Sequence, residues 1–240
     1  AFDKKALDSN SYEKMKNAGS VTLTGFTYAD ATKKVTNINK AQLQFTNTAI
    51  QLNQLSLTSG KSDVQMQGVL TNFYGYLLKN EVLKGNFQLQ SKQLYVADFM
   101  STETATPEST KPTALKIPST LDCSLTAQVG QVHYDDLVLT NVTGKAAIHD
   151  QAVALSQVKA QLFQGTLTAD GSISTKAKTP SFDMLLGMQQ MNIPQVFTQL
   201  PMLQKVAPIA KAISGQFSSS IHVAGNLDAV ALTPDLKSIS

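Results

Sequence analysis

Three histidines and one cysteine are the residues of this 240-residue chain best suited to chemistry, and each has a carboxylate close by in sequence. His133 lies just before Asp135-Asp136, His149 adjoins Asp150, and His222 stands a short way before Asp228. A metal centre or a general base would need several of these groups to converge on one point. The places of His133 and His149, facing away from the apolar runs or at their ends, point instead to solvated turn histidines, and Asp135-Asp136 to a hairpin turn. Cys123 alternates with the apolar positions of Leu121-Asp122-Cys123-Ser124-Leu125, the place of a small buried hydrophobe. With one cysteine there is no disulfide framework and no thiolate cluster. No Gly-rich phosphate loop, Gly-x-Ser-x-Gly elbow or Cys–His pair occurs. The chain does not read as an enzyme, and no cofactor or metal is expected.

Composition narrows the partners. All 20 basic residues are lysines, scattered singly or in pairs, and arginine, whose planar fork suits phosphate and base edges, is absent. Nucleic acid is therefore excluded as a partner. The absence of Trp disfavours a sugar-gripping aromatic platform. Charged residues make up 15% of the chain against about 25% in typical soluble domains, and Gln, Asn, Ser and Thr carry the polar burden instead. That choice suits the exposed side of a β-sheet. No apolar run reaches the length needed to span a bilayer, so any membrane anchor is expected outside this sequence.

The elements that would position side chains are strands. In Ile50–Leu70, apolar residues alternate with polar ones on both sides of Ser59-Gly60-Lys61-Ser62-Asp63, a turn in which Gly60 takes a positive φ. The pattern returns about a hundred residues later. Thr36-Asn37-Ile38 recurs as Thr140-Asn141-Val142, Ile50-Gln51-Leu52 as Val153-Ala154-Leu155, and Val64-Gln65-Met66-Gln67-Gly68 as Leu167-Thr168-Ala169-Asp170-Gly171. The reading is two related β units. Residues 1–100 form the first with an N-terminal lead-in, 101–114 a polar linker with Pro107 and Pro112, and 115–240 the second.

Along the first unit, Val21, Leu23 and then Phe26, Tyr28 slip phase around Gly25, which predicts a bulge there. Asn72–Leu78 is too dense in apolar residues for a one-faced strand and reads as a short helix or covering turn over one end of the sheet. Phe87, Leu89 and Leu94, Val96 read as a further hairpin. In the second unit, residues 192–215 carry apolar side chains at intervals of three and four with prolines at 194, 201 and 208, the pattern of a kinked amphipathic helical segment. The expected fold is mainly β: a curved, groove-like antiparallel sheet of two related units with this short helical segment near the C-terminus.

The candidate site is the apolar side of that sheet. Leu43, Phe45, Ile50, Leu52, Leu55, Leu57, Val64 and Met66 from the first unit could line a continuous apolar path with Val153, Leu155, Val158, Leu162 and Leu167 from the second. The same residues could instead be the closed core of a sandwich, or of a sheet covered by the 192–215 helices.

Leu52-x-x-Leu55-x-Leu57 running through a Gly turn to Val64-x-Met66-x-Gly68, and Leu83-x-Gly85-x-Phe87-x-Leu89-x-Ser91-x-x-Leu94, resemble the C-terminal part of the AsmA family. So does the closing Ser220-Ile221-His222-Val223-Ala224-Gly225-Asn226-Leu227 with Pro234-Asp235-Leu236. AsmA-like proteins are similar to bridge-like lipid-transfer proteins with a repeating β-groove. The resemblance implies a periplasmic place in the bacterial cell envelope and attachment to a membrane through a segment absent from this sequence. It further implies phospholipid as a partner and a part in outer-membrane biogenesis. It brings no catalytic residues. The alternative is a structural or adhesive β scaffold that acts through protein contacts.

Overall fold

The computed structural model describes residues 17–29, 35–99, 116–200, 213–228, 235 and 238. Its strands are long and amphipathic, as period-two patterning demands. They are β1 (Ala18–Ala29), β2 (Val35–Thr46), β3 (Ala49–Ser59), β4 (Ser62–Thr71), β5 (Leu83–Tyr95), β6 (Leu121–Tyr134), β7 (Leu137–His149), β8 (Ala152–Leu162), β9 (Gly165–Ser174), β10 (Ser181–Asn192) and β11 (Gln216–Asn226). All eleven lie side by side in chain order in one curved, unclosed sheet. Among the described residues two short α-helices accompany it, α1 (Phe73–Lys79) after β4 and α2 (Ile193–Gln199) after β10, with a single 3-10 turn at Val96–Asp98 after β5.

Every neighbouring pair is antiparallel except β5–β6, which run parallel with Leu83 opposite Leu121 and Tyr95 opposite His133. A hairpin cannot make a parallel pair, because the chain must return to the starting end of the sheet. The return falls between Tyr95 and Leu121, and the expected linker 101–114 lies outside the described residues. On either side of this seam stand two antiparallel meanders, β1–β5 and β6–β11. They share a detail that alternation alone does not produce. The β3–β4 ladder shifts register between Leu52 and Leu55, and the β8–β9 ladder shifts between Leu155 and Val158, the corresponding place in the sequence repeat.

Left-handed residues reset the strand phase. Gly25 (φ 66°), Asn141 (φ 51°), Gln157 (φ 55°) and Gln190 (φ 53°) each sit inside a strand, and each lies between two apolar residues three apart: Leu23 and Phe26, Leu139 and Val142, Leu155 and Val158, Met188 and Met191. An extra residue turned back in this way returns the next apolar side chain to the face of the last one. The bulge expected at Gly25 is present in this form.

Two expectations are corrected. Phe87–Val96 is no hairpin: β5 continues without a turn to Tyr95. Past Gln90, where the β4–β5 ladder ends, the Asp63 carboxylate accepts the backbone N–H groups of Lys92 (3.1 Å) and Gln93 (2.9 Å), so a side chain takes over from the ladder. The helical segment expected over 192–215 is helical from Ile193 to Gln199, capped by the Asn192 side chain on Gln195 N–H at 3.0 Å. Ile213–Gly215 are not helical, and 201–212 lie outside the described residues. The turn at Gly60 (φ 57°) forms as expected, and so does α1 within Asn72–Leu78.

Candidate functional site

Cross-strand partners share a face of the sheet, so the register alone shows which side chains meet. One rung passes through every strand: Val21, Leu43, Leu52, Gly68, Phe87, Leu125, Ala146, Leu155, Gly171, Met184 and Val223. Each member is apolar or glycine. The next rung joins Phe45, Ile50, Leu70 and Gly85 to Cys123, Ile148, Val153, Ile173 and Phe182. A third contains Leu23, Ala41, Leu55, Met66, Leu89 and Ala127, and Ile38, Leu57 and Val64 begin a fourth. In the second meander Val158 pairs with Ala169, Leu167 with Met188, and Leu162 with Gly165, all on this same side. Every residue expected to line an apolar path therefore lies on one face, spread over β2, β3, β4, β8 and β9.

That face has no second layer among the described residues. Most of its large side chains are half-buried, and among the described strand residues the buried apolar ones are few: Ala41, Val64, Val129, Ala160 and Met191. The two helices do not lie over its middle. α1 leaves the strand ends that carry Thr71 and Leu83, while α2 leaves the opposite ends, where Phe163 takes the Asn192 N–H. Asn17, just before β1, donates to the Tyr74 hydroxyl and so ties α1 to the far edge of the first meander. As far as Leu200, the 192–215 segment therefore caps the strand ends and does not form the cover that the closed-core alternative required.

Glycines shape the floor. The Phe45 ring lies 2.5 Å from where a Cβ on Gly19 would stand, Phe87 lies 2.4 Å from that of Gly68 and 2.7 Å from that of Gly85, and the Met184 sulfur lies 2.6 Å from that of Gly171. Large side chains lie down across glycine instead of standing up from the sheet. The result is a smooth apolar floor without deep pits. With about 4.8 Å between neighbouring strands, the ten steps from β1 to β11 give a rung about 48 Å long, measured along the curve.

The opposite face is amide-rich. Gln65, Gln90, Gln128 and Thr143 form one of its rungs, and Gln67 donates to Gln88 at 2.9 Å on the next. Long amides standing off a sheet leave furrows between them, and a cavity of about 450 Å³ bounded by Gln65, Gln90, Gln128 and Asn141 is one of these.

The candidate chemical residues are dispersed. His222 meets Asp183 of the adjacent strand at 2.9 Å, not Asp228, and His149 lies 3.6 Å from Asp122. His133 overturns the solvated-turn expectation. Its ring stacks on Tyr95 across the parallel seam, centroids 4.0 Å apart and 3° from coplanar, with Nε2 enclosed. The parallel register that sets these rings opposite each other has no local signal in the sequence. Asp135 (φ 48°) and Asp136 occupy the β6–β7 turn as expected. Cys123 is half-buried in the second rung between Gly85 and Ile148, and burial pushes its thiol above the ordinary value of 9.0, with the neighbouring Asp122 charge adding to the shift. Among the described residues no group of three His, Cys, Asp or Glu could hold a metal ion, and no helix is long and apolar enough to cross a membrane.

Sequence reasoning missed Asp98. Its carboxylate accepts from Lys61 N–H (2.9 Å), Ser62 N–H (3.0 Å) and Ser62 Oγ (2.7 Å), locking the β3–β4 turn to the end of β5. Compared with protein-family models, curated proteins and solved structures, the chain matches none.

Proposed function

We propose that this chain holds the acyl chains of phospholipid along its apolar face and serves lipid movement in the bacterial cell envelope, as its AsmA-like patterns suggest. The supporting observation is the rung from Val21 to Val223, which is apolar or glycine at every strand and has no covering layer among the described residues. Moving an acyl chain of about sixteen carbons into water costs on the order of 12 kcal/mol at about 0.8 kcal/mol per methylene. A carrier therefore needs an unbroken apolar path more than any reactive group. A smooth floor of leucine, flattened phenylalanine and glycine suits a chain that must slide. In this reading the protein works in the periplasm, attached to a membrane by a segment outside this sequence, in support of outer-membrane biogenesis.

The test is native mass spectrometry with organic extraction of protein purified without detergent. Phospholipid bound in stoichiometric amount is the expected result, and it should be lost when Leu52 and Leu155 are both replaced by Asp while circular dichroism stays β-rich. A wild-type protein that carries no lipid and refuses added fluorescent phospholipid overturns the proposal. The scaffold reading would then take its place, with the exposed apolar residues of β1 as its contact surface.

A further inference from the structure

The sheet is one layer thick, so the burial of any strand depends on its neighbours to either side. Interior strands have two; among the described residues β1 and β11 have one each. The cost shows on β1. Leu23, Phe26 and Tyr28 are 38%, 49% and 58% exposed, although the register places Leu23 and Phe26 opposite the interior residues Ala41 and Ile38. On the far edge Ile221 is 42% exposed.

Edge strands in isolated proteins are ordinarily blunted by lysine, proline or brevity, because unpaired N–H and C=O groups invite another strand. Neither device is used here. β1 is twelve residues long and β11 eleven, neither contains Lys, Arg, Asp, Glu or Pro, and the only titratable groups on them are Tyr28 and His222. Among the interior strands, β2, β5, β7 and β8 carry lysines, at 40, 84, 92, 145 and 159, and β4, β6, β9 and β10 each carry an aspartate. The bulge at Gly25 does not twist β1 away, since its pairing to β2 continues on both sides with Thr24 opposite Lys40 and Phe26 opposite Ile38.

The two edges also fit each other. Successive strands alternate in direction except at the β5–β6 seam, which leaves β1 and β11 antiparallel across the whole sheet. Continuing the rungs from the β11 of one molecule to the β1 of another sets His222 opposite Thr22, Ile221 opposite Leu23 and Ser220 opposite Thr24. Past the Gly25 bulge, Ser219 meets Phe26 and Phe217 meets Tyr28. Val223, Ile221 and Phe217 fall on the apolar face together with Ser219, which meets Phe26 there; His222 and Ser220 meet threonines on the polar face, and no charged pair is brought together. The match stops at Val223: Asn226 N–H goes to Ser238 Oγ and its C=O accepts from Asp235 N–H, and Ser238 also lies against Gly225.

We infer that the β1 edge takes the β11 edge of a second copy of this chain, adding it antiparallel in the register that pairs Thr24 with Ser220. The contact is heterologous, head to tail, so it grows into rings or filaments instead of stopping at a dimer. It lengthens the apolar face and the amide face together, with every rung continued into the next molecule.

Disulfide trapping between two singly substituted proteins tests this, in a Cys123→Ala background with the β content of each protein checked by circular dichroism. Directly opposed residues of antiparallel strands have Cα atoms about 4.5–5.5 Å apart, within disulfide range. Thr24→Cys mixed with Ser220→Cys should give a covalent dimer on mild oxidation, while either protein alone should give none. Thr24→Cys mixed with Gln216→Cys is the register control, about 13 Å out of line. Wild-type protein should sediment as larger species as its concentration rises. A monomer at every concentration with no trapped dimer overturns the inference. So does trapping by Thr24→Cys alone, which would mean β1 pairs with itself, or trapping as efficient at Gln216 as at Ser220.

Discussion

The Asp170 carboxylate accepts the backbone N–H of Gln157 at 2.8 Å, from the neighbouring strand and across the bulge that keeps β8 in phase. Gln157 is the extra, left-handed residue, so the ladder leaves its N–H without a strand partner. Ser218 Oγ does the same for Gln190 on β10 at 3.0 Å. Two of the four phase resets, those at Gln157 and Gln190, are thus held by short polar side chains on adjacent strands. Asp170→Ala should cost about 1 kcal/mol, the ordinary worth of such a bond at an exposed site. The urea midpoint reads it; an unchanged midpoint would mean that the bulge holds itself.

Asp98 should matter more. It accepts from two backbone N–H groups and a hydroxyl, and Ser62, which supplies two of the three donors, is 1% exposed. Asp98→Ala leaves those donors in a site water reaches poorly, and about 2–3 kcal/mol of stability should go. Asp98→Asn keeps an acceptor and should recover part of it. Equal loss in both variants would assign the effect to the carboxylate charge.

Gly68 and Gly171 hold matching places in the two meanders. A Cβ on Gly68 would stand 2.4 Å from the Asn86 carbonyl oxygen, and one on Gly171 would stand 2.2 Å from that of Asp183. Backbone cannot swing aside as a side chain can, so either Gly→Ala change should destabilise by about 1–3 kcal/mol. Gly187, whose Cβ would meet only the Thr168 hydroxyl at 2.4 Å, is the control and should lose less.

Cys123 is a probe built into the apolar face. Burial favours its neutral thiol, so its contribution to stability is present below the ordinary thiol pKa and is lost as pH rises through the higher folded value. Alkylation by iodoacetamide at pH 8 should be slower than in urea-unfolded protein, and bound phospholipid should slow it again. A rate equal to that of the unfolded chain would remove Cys123 from the half-buried rung; one indifferent to bound phospholipid would place the lipid elsewhere.

Much of this was legible locally. Alternation from Leu121 to Val129 and from Ile50 to Leu70 requires strands with one apolar side, because successive side chains of a strand point to opposite faces. Gly25 announced its bulge, and Gly60 its turn. The spacing of Leu52 and Leu55, or of Leu155 and Val158, resembles a helix when taken alone; inside an alternating run it is the mark of a phase reset. Sequence by itself thus determined which residues are strand, which side of each strand is apolar, and that two stretches repeat.

Only the tertiary structure decided how those strands meet. The parallel seam of β5 and β6, the stacking of His133 on Tyr95 and the reach of Asp98 back to Ser62 join residues far apart in the chain, and nothing near any of them in sequence names its partner. The same holds for the central property of the molecule. A leucine at position 52 or 155 suits a closed core and an open face equally well, since both reward an apolar side chain. What separates them is whether a second layer lies across the rungs, and that depends on the placement of whole elements rather than on the residues that form the face.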